Sequence, residues 1–320
     1  MDNLWGFNQL GLTKRAKSLL SFISPFGIYQ MNMLSFGVAT TPGIYHNRMI
    51  NIVGDMYPNG CLVYIDDIIV YADTEDEFLL RLDTLLSRLA AYNVRLKPVK
   101  CYFGYRQIEF LGYIFDENGY QLSEQRKLGI LNIAVPSTVK QLKSFLGSVN
   151  FFRAFIPNLS TIIAPLTEAT KGAKKGPITL SPEALHAFEA VKQAVLEAQA
   201  LQWPTDSDPF LLYTDASDIG IGAMLVQRQS SWEVPIGFFS KKLSDVAQRW
   251  STIEKECYAL FAGVIFFQSH LLGRTFFICT DHKNLVHMHS LVVPKVIRWR
   301  LRLLEFSFIV IHIPGEDNIV

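Results

Sequence analysis

With 320 residues, 49% hydrophobic and 18% charged, the chain is long enough for two or three domains and too apolar to be disordered. A formal charge of +1 excludes a whole-molecule electrostatic drive toward nucleic acid, leaving local basic clusters at Lys97, Lys100 and Arg106, at Lys171, Lys174 and Lys175, and at Arg298, Arg300 and Arg302. The four scattered cysteines, Cys61, Cys101, Cys257 and Cys279, form no CxxC pair, and the longest apolar run, Tyr258 to Phe267, is about half a bilayer span; we expect buried thiols and an intracellular protein that is not secreted.

The first distinctive stretch is VYIDDIIVYA, Val63 to Ala72, which sets Asp66 and Asp67 side by side among β-branched and aromatic residues. On one reading Leu62 to Ile65 and Ile68 to Tyr71 are strands and Asp-Asp is their polar turn. On the other, a tight turn fixes both carboxylates at a sheet rim, where they repel unless a divalent cation lies between them. That second reading requires another ligand elsewhere. A helix follows over EDEFLLRLDTLLSRLAAY, with Phe78, Leu82, Leu85, Leu86 and Leu89 on one face.

Next, EFLGYIFDENGYQL reads as two short strands around Asn118-Gly119, and Thr138 with Gln141 forms a capping box that opens a helix through Leu142, Phe145, Leu146 and Val149. The Gly-, Lys- and Pro-rich EATKGAKKGPITLSPE is a linker candidate, with Ser181-Pro182 as N-cap and first residue of the next helix. From Phe210 onward come the strands FLLYTDAS, IGIGAMLVQ and PIGFFSKKL, a long helix from Thr252 to Leu272, and the strand FFICTDHK. Asp215 and Asp281 fall near strand ends. Glu254 and Glu256 lie at the edges of the apolar helix face Ile253, Cys257, Leu260, Phe261 and Val264, and periodicity does not choose between them. Two strand-end aspartates and a helical glutamate suit a pair of Mg²⁺ ions acting on a phosphodiester, while the plainer alternative for each is a solvated charge.

The boxes DNLWGFNQL, LSFGVATTPGIYH, YIDD, KPVKCYFGYRQIEFLGY, QLKSFLGSVNFFRAFIPNLSTIIAPLT, YTDASDIGIGAMLVQ, STIEKECYALFAGV, CTDHKNL and HIPGEDNIV occur in that order. Together they resemble the reverse transcriptase and ribonuclease H region of a gypsy-type LTR retrotransposon polyprotein, over essentially the whole chain. The resemblance supplies the missing ligand: Asp2 matches the first polymerase carboxylate. It implies that Asp2 and Asp66 hold two Mg²⁺ ions (Mn²⁺ as a substitute), with Asp67 assisting. Phe7 matches an aromatic residue under the nucleotide sugar, Phe36 and Gly37 a pair beside nucleotide and template, and Lys100 a lysine near the triphosphate. Phe110, Leu111 and Gly112 match a hairpin that grips the primer end. Asp215, Glu256 and Asp281 match three of the four ribonuclease H carboxylates, and the match selects Glu256 over Glu254.

The implied fold is α+β: a partial right-hand-type palm lacking its fingers over residues 1–113, a thumb/connection segment over 114–180, and an α/β ribonuclease H-like domain over 181–320 lacking its C-terminal end. The implied activity is RNA-directed DNA polymerisation with hydrolysis of RNA–DNA hybrids. Its partners are an RNA template, a DNA primer, the hybrid and dNTPs, with protease and integrase parts in the parent polyprotein and no membrane. A catalytically dead remnant that only binds nucleic acid is the alternative. The chain departs from the family pattern at Ser35, Val38, Thr40 and Thr41, and at His46, where a glutamine is usual. The sequence reads as clipped at both ends, so Asp2 is expected to be poorly fixed and hybrid cleavage to be easier to detect than primer extension.

Overall fold

The computed structural model describes residues 1–171, 176–229, 232–285 and 293–320. Lys174 and Lys175 of the second basic cluster lie outside these residues. The chain forms two compact units, Met1–Tyr105 and Arg106–Val320.

In the first unit, α1 (Lys14–Leu19) leads into the exposed hairpin β1 (Ser21–Ser24) and β2 (Gly27–Gln30). Then come α2 (Thr41–Val53), the hairpin β3 (Cys61–Tyr64) and β4 (Asp67–Val70), and α3 (Glu75–Ala91). Tyr45, Met49, Ile52 and Val53 of α2 pack with Cys61, Val63 and Ile68 of the hairpin and Leu85 and Leu89 of α3, all buried. Burying each large aliphatic side chain contributes about 1.5–3 kcal/mol, so this small core fixes the hairpin against α2. Helix α3 starts where Thr74 accepts the Glu77 N–H and three acids occupy the first turn, which favours its positive end.

The second unit opens on three short strands, β5 (Ile108–Phe110), β6 (Tyr113–Phe115) and β7 (Gly119–Leu122), joined antiparallel. The pattern of EFLGYIFDENGYQL predicts two strands around Asn118-Gly119. The additional turn is Leu111-Gly112, both left-handed (φ 52° and 78°), while Asp116 Oδ1 caps the second turn by accepting the N–H groups of Asn118 and Gly119. Five helices follow: α4 (Glu124–Leu131), α5 (Val139–Asn150), α6 (Leu159–Ile162), α7 (Ala164–Glu168) and α8 (Pro182–Leu196). The Thr138–Gln141 capping box forms, and Ser181 caps α8. Leu142, Phe145 and Val149 of α5 pack with Phe188, Val191 and Val195 of α8 in one core.

After β8 (Leu201–Gln202), the larger sheet comprises β9 (Phe210–Ala216), β10 (Gly220–Gln229), β11 (Trp232–Lys242), β12 (Thr275–Thr280) and β13 (Ser307–His312), in the order β11-β10-β9-β12-β13. The first three strands are antiparallel; β12 runs parallel to both β9 and β13. The crossover from β11 to β12 carries α9 (Thr252–Phe266) and α10 (Gln268–Leu271), so the single long helix expected from the sequence is broken at Phe267. Helix α11 (Pro294–Leu303) precedes β13. Buried Cys257, Leu260 and Val264 of α9 meet Leu212, Ala223 and Leu225 of the sheet. A Cβ on Gly263 would stand 2.9 Å from the Ala223 Cβ, so glycine there lets α9 lie close to the sheet. Among the described residues, no helix is long and apolar enough to cross a membrane.

Candidate active sites

In the second unit, Asp215 near the end of β9, Asp281 just past the end of β12 and Glu256 in the first turns of α9 each offer a carboxylate oxygen within 4.8 Å of the others. Parallel pairing of β9 with β12 brings the two aspartates to the same end of the sheet, and the crossover helix delivers the glutamate. Glu256 is 4% exposed, and its Oε2 is buried without a hydrogen-bond partner. Burial, with the charges of Asp215 and Asp281 adding to it, pushes its carboxyl up to about 8, against the N–H of Ala216, which favours the charged form. Asp215 is raised too, by burial first and by Asp281 in addition. Mutually repelling acids with an unpartnered buried oxygen form a set that could hold a metal ion.

Glu254 does other work. Its Oε2 accepts the Ser251 N–H at 2.9 Å, closing a capping box, and Oε1 pairs with Lys295 at 3.0 Å. Burial alone would raise its carboxyl, but Lys295 and the Ser251 N–H outweigh it and hold it low. The signal that separates the two glutamates was present in the sequence as Ser251-x-x-Glu254.

The state of Glu256 carries a consequence for stability. A carboxyl ordinarily near 4.5 and held near 8 in the folded chain favours folding fully below pH 4.5, and that contribution is lost as the pH rises through 8. In chelator, Glu256→Gln is expected to remove on the order of 3 kcal/mol of the stability lost between pH 5 and pH 8.5. Urea unfolding of both proteins at the two pH values measures it, and equal pH dependence in the variant would contradict the assignment.

The first unit holds the other carboxylates. The β3–β4 register pairs Tyr64 with Asp67, so the two-residue turn is Ile65-Asp66 and Asp67 is the first residue of β4. This corrects the Asp-Asp turn: with φ 58°, Ile65 takes the left-handed position that the Asp-Asp reading left inside a strand. Asp2 forms an antiparallel bridge with Asp67 and Asn3 one with Leu96; the Ile68 N–H donates to the Met1 carbonyl and the Lys97 N–H to the Asp2 carbonyl. Asp2 is therefore tied down on both sides, against the expectation of a loose end, because residues 1–3 act as a short strand between the hairpin and the segment after α3. A Cβ on Gly6 would meet the Tyr45 hydroxyl at 2.9 Å and the Asp66 Cβ at 3.3 Å, so only glycine fits behind the acid turn.

Asp2, Asp66 and Asp67 are not among the sets whose ligand atoms all lie within 4.8 Å. Lys100 Nζ instead contacts Asp2 Oδ2 at 2.7 Å. Asp67 is raised by burial and by the charges of Asp66 and Asp2, with Lys100 opposing. Phe7 packs between Tyr45 (ring centroids 5.3 Å apart) and Phe36 (5.1 Å), whose own ring is 71% exposed; Gly37 is exposed beside it. In the second unit, half-buried Phe110 leads into the Leu111-Gly112 turn, where Arg126 donates to the Leu111 carbonyl at 3.2 Å and stacks over Phe151.

Residues 1–115 match the reverse transcriptase (RNA-dependent DNA polymerase) family, and residues 205–306 match the RNase H-like domain found in reverse transcriptase. The retrovirus-related Pol polyprotein from transposon 297 of Drosophila melanogaster is 34% identical over 100% of the chain and 30% of its own length. The chain thus spans about a third of this relative. In shape it is similar to the foamy viral protease-reverse transcriptase solved with double-stranded DNA (TM-score 0.87, 22% identity, 98% of this chain and 56% of that one). It is also similar to that protein solved with an RNA/DNA hybrid (TM-score 0.80, 22% identity, 100% and 44%). At that identity these two likenesses show the fold, a reverse transcriptase polymerase part followed by a ribonuclease H-like part. With both domain families in this order and a transposon relative aligned end to end, the chain belongs to the reverse transcriptase and ribonuclease H segment of the retrovirus-related Pol polyproteins of transposons.

Proposed function

We propose that the chain is an RNA-directed DNA polymerase with ribonuclease H activity, acting on an RNA template, a DNA primer, dNTPs and the RNA–DNA hybrid that polymerisation leaves. The observation that carries the reading is the convergence of Asp215, Glu256 and Asp281 within 4.8 Å. The buried, unpartnered Glu256 Oε2 and the all-carboxylate donor set fit Mg²⁺, with Mn²⁺ as a substitute. When bound, such ions neutralise charge developing at the scissile phosphate and lower the pKa of the attacking hydroxyl or water. The chain's own residues do the rest. Asp215 and Asp281 are oriented by strand ends, and Glu256, whose carboxyl burial and the neighbouring charges hold protonated below about pH 8, would serve as a cation ligand in its deprotonated form. In the first unit, Asp2, Asp66 and Asp67 are the proposed polymerase ligands, with Phe7, Phe36, Gly37 and Lys100 at nucleotide and template and Phe110, Leu111 and Gly112 at the primer end.

For the domains we propose a palm over 1–113, a thumb/connection segment over 114–180 and a ribonuclease H-like domain over 181–320, with the last boundary drawn beside α8, whose apolar face joins the core of the preceding helices. We further propose an intracellular location and protease and integrase parts elsewhere in the parent polyprotein. For the polymerase half, binding of nucleic acid without catalysis has one observation in its favour, the Lys100–Asp2 pair standing where a cation is needed.

The test is incubation of the purified chain with a labelled RNA–DNA hybrid in Mg²⁺ or Mn²⁺. Cation-dependent cleavage of the RNA strand alone, absent in Asp281→Asn, is expected; cation-independent cleavage, or equal cleavage by the variant, overturns the reading.

A further inference from the structure

Ile65 is a β-branched residue at φ 58°, a backbone region that such side chains rarely adopt, and it directly precedes Asp66. Its N–H donates to Nδ1 of His46 at 3.3 Å. His46 lies on α2, beside Tyr45, and the two neighbours hold different strands of the same site. Tyr45, 1% exposed and with its hydroxyl pushed up to about 12 by burial, accepts from Asn3 Nδ2 at 2.8 Å, and the Asn3 N–H donates to the Asp66 carbonyl at 3.1 Å. Asn3 is the residue after Asp2. One helix therefore engages the side chain of the residue after Asp2 through Tyr45 and the backbone N–H of the residue before Asp66 through His46.

We propose that His46 is a positioning residue for the polymerase carboxylates: as the neutral imidazole protonated on Nε2, it holds the strained Ile65-Asp66 turn through Nδ1, so that the acids project from a fixed tip. A backbone N–H at a turn residue of this kind has no ladder partner, because the hairpin register ends at Tyr64–Asp67. Without the acceptor, the Ile65 N–H loses its hydrogen bond to α2, less remains to oppose the strain at Ile65, and Asp66 moves with it. This is also why an imidazole serves at a position where the resembled pattern has an amide: either group presents an acceptor to a backbone N–H.

The kinetic part of this inference rests on the polymerase reading, and the structural part does not. In the full chain, His46→Leu, similar in size and lacking an acceptor, is expected to raise amide hydrogen exchange at Ile65 by about tenfold. His46→Asn, whose Oδ1 takes the place of Nδ1, is expected to bring it back to within about threefold of the original. In primer extension, His46→Leu should lower kcat on the order of tenfold or more with KM for dNTP within about twofold, His46→Asn should recover most of the rate, and hybrid cleavage should be unchanged in both. Unaltered exchange at Ile65 in His46→Leu overturns the proposal, as does unaltered kcat. Failure of the unsubstituted chain to extend primers counts against the polymerase reading, and the exchange measurement then still decides whether His46 holds the turn.

Discussion

Asp215→Asn is expected to lower cleavage of RNA–DNA hybrids by about a hundredfold to a thousandfold, the range seen when one group aimed at developing charge is removed, while primer extension stays within about twofold. The substitution keeps the size of the side chain and removes its charge. Asp215 lies on β9, whose buried neighbours Leu212 and Thr214 are untouched, so folding should persist. What changes is the electrostatics of three groups within 4.8 Å. With one carboxylate gone, cation binding weakens, and the Glu256 carboxyl should fall from about 8 because one of the charges raising it has disappeared. A second reading of the same variant is therefore available without activity: titration of Glu256 in chelator should shift downward. Full cleavage activity in Asp215→Asn, or an unmoved Glu256, would remove Asp215 from the site.

The second-unit cluster shows what a sequence can and cannot disclose. Asp215, Glu256 and Asp281 were identifiable as acids at strand ends and on a helix, yet their meeting depends on β9 and β12 pairing in parallel across more than sixty intervening residues, which no local pattern encodes. The family resemblance stood in for that long-range information. Glu254 is a different case: its capping role is written locally as Ser251-x-x-Glu254, a signal independent of the helix's apolar face. At Ile65, propensity misled. A β-branched residue looks like strand interior, and only tertiary support from α2 lets it occupy a left-handed turn position, shifting the turn by one residue. Helix α11 presents itself in the sequence as a basic cluster, since three arginines lie between its buried apolar positions Val296 and Leu303. Asp2 was expected to be mobile because strand pairing to the hairpin and to Leu96 is invisible from three residues.

The fixing of Asp2 changes what is expected of the polymerase site. Asp66→Asn should abolish primer extension, with a loss of about a hundredfold or more, and leave hybrid cleavage and hybrid binding within about twofold of the original. Asp66 occupies the second turn residue, half-exposed, with its carbonyl already engaged by the Asn3 N–H, so the substitution leaves the backbone network intact. The buried neighbours Val63 and Ile68 keep the hairpin in the core. Extension should nevertheless be the weaker of the two activities in the unsubstituted chain, for a geometric reason. The acids proposed for ribonuclease H already lie within 4.8 Å of one another, whereas Asp2 is engaged by Lys100 and the three acids proposed for the polymerase do not form such a set. A cation must displace an ammonium from Asp2 before it can bind, so half-maximal extension should require more Mg²⁺ than half-maximal cleavage does. Side-by-side Mg²⁺ titrations of the two reactions, with Asp66→Asn as the control for each, measure both effects. Extension that survives in Asp66→Asn, or loss of folding in that variant, would leave Asp66 as no more than the polar second residue of the Ile65-Asp66 turn.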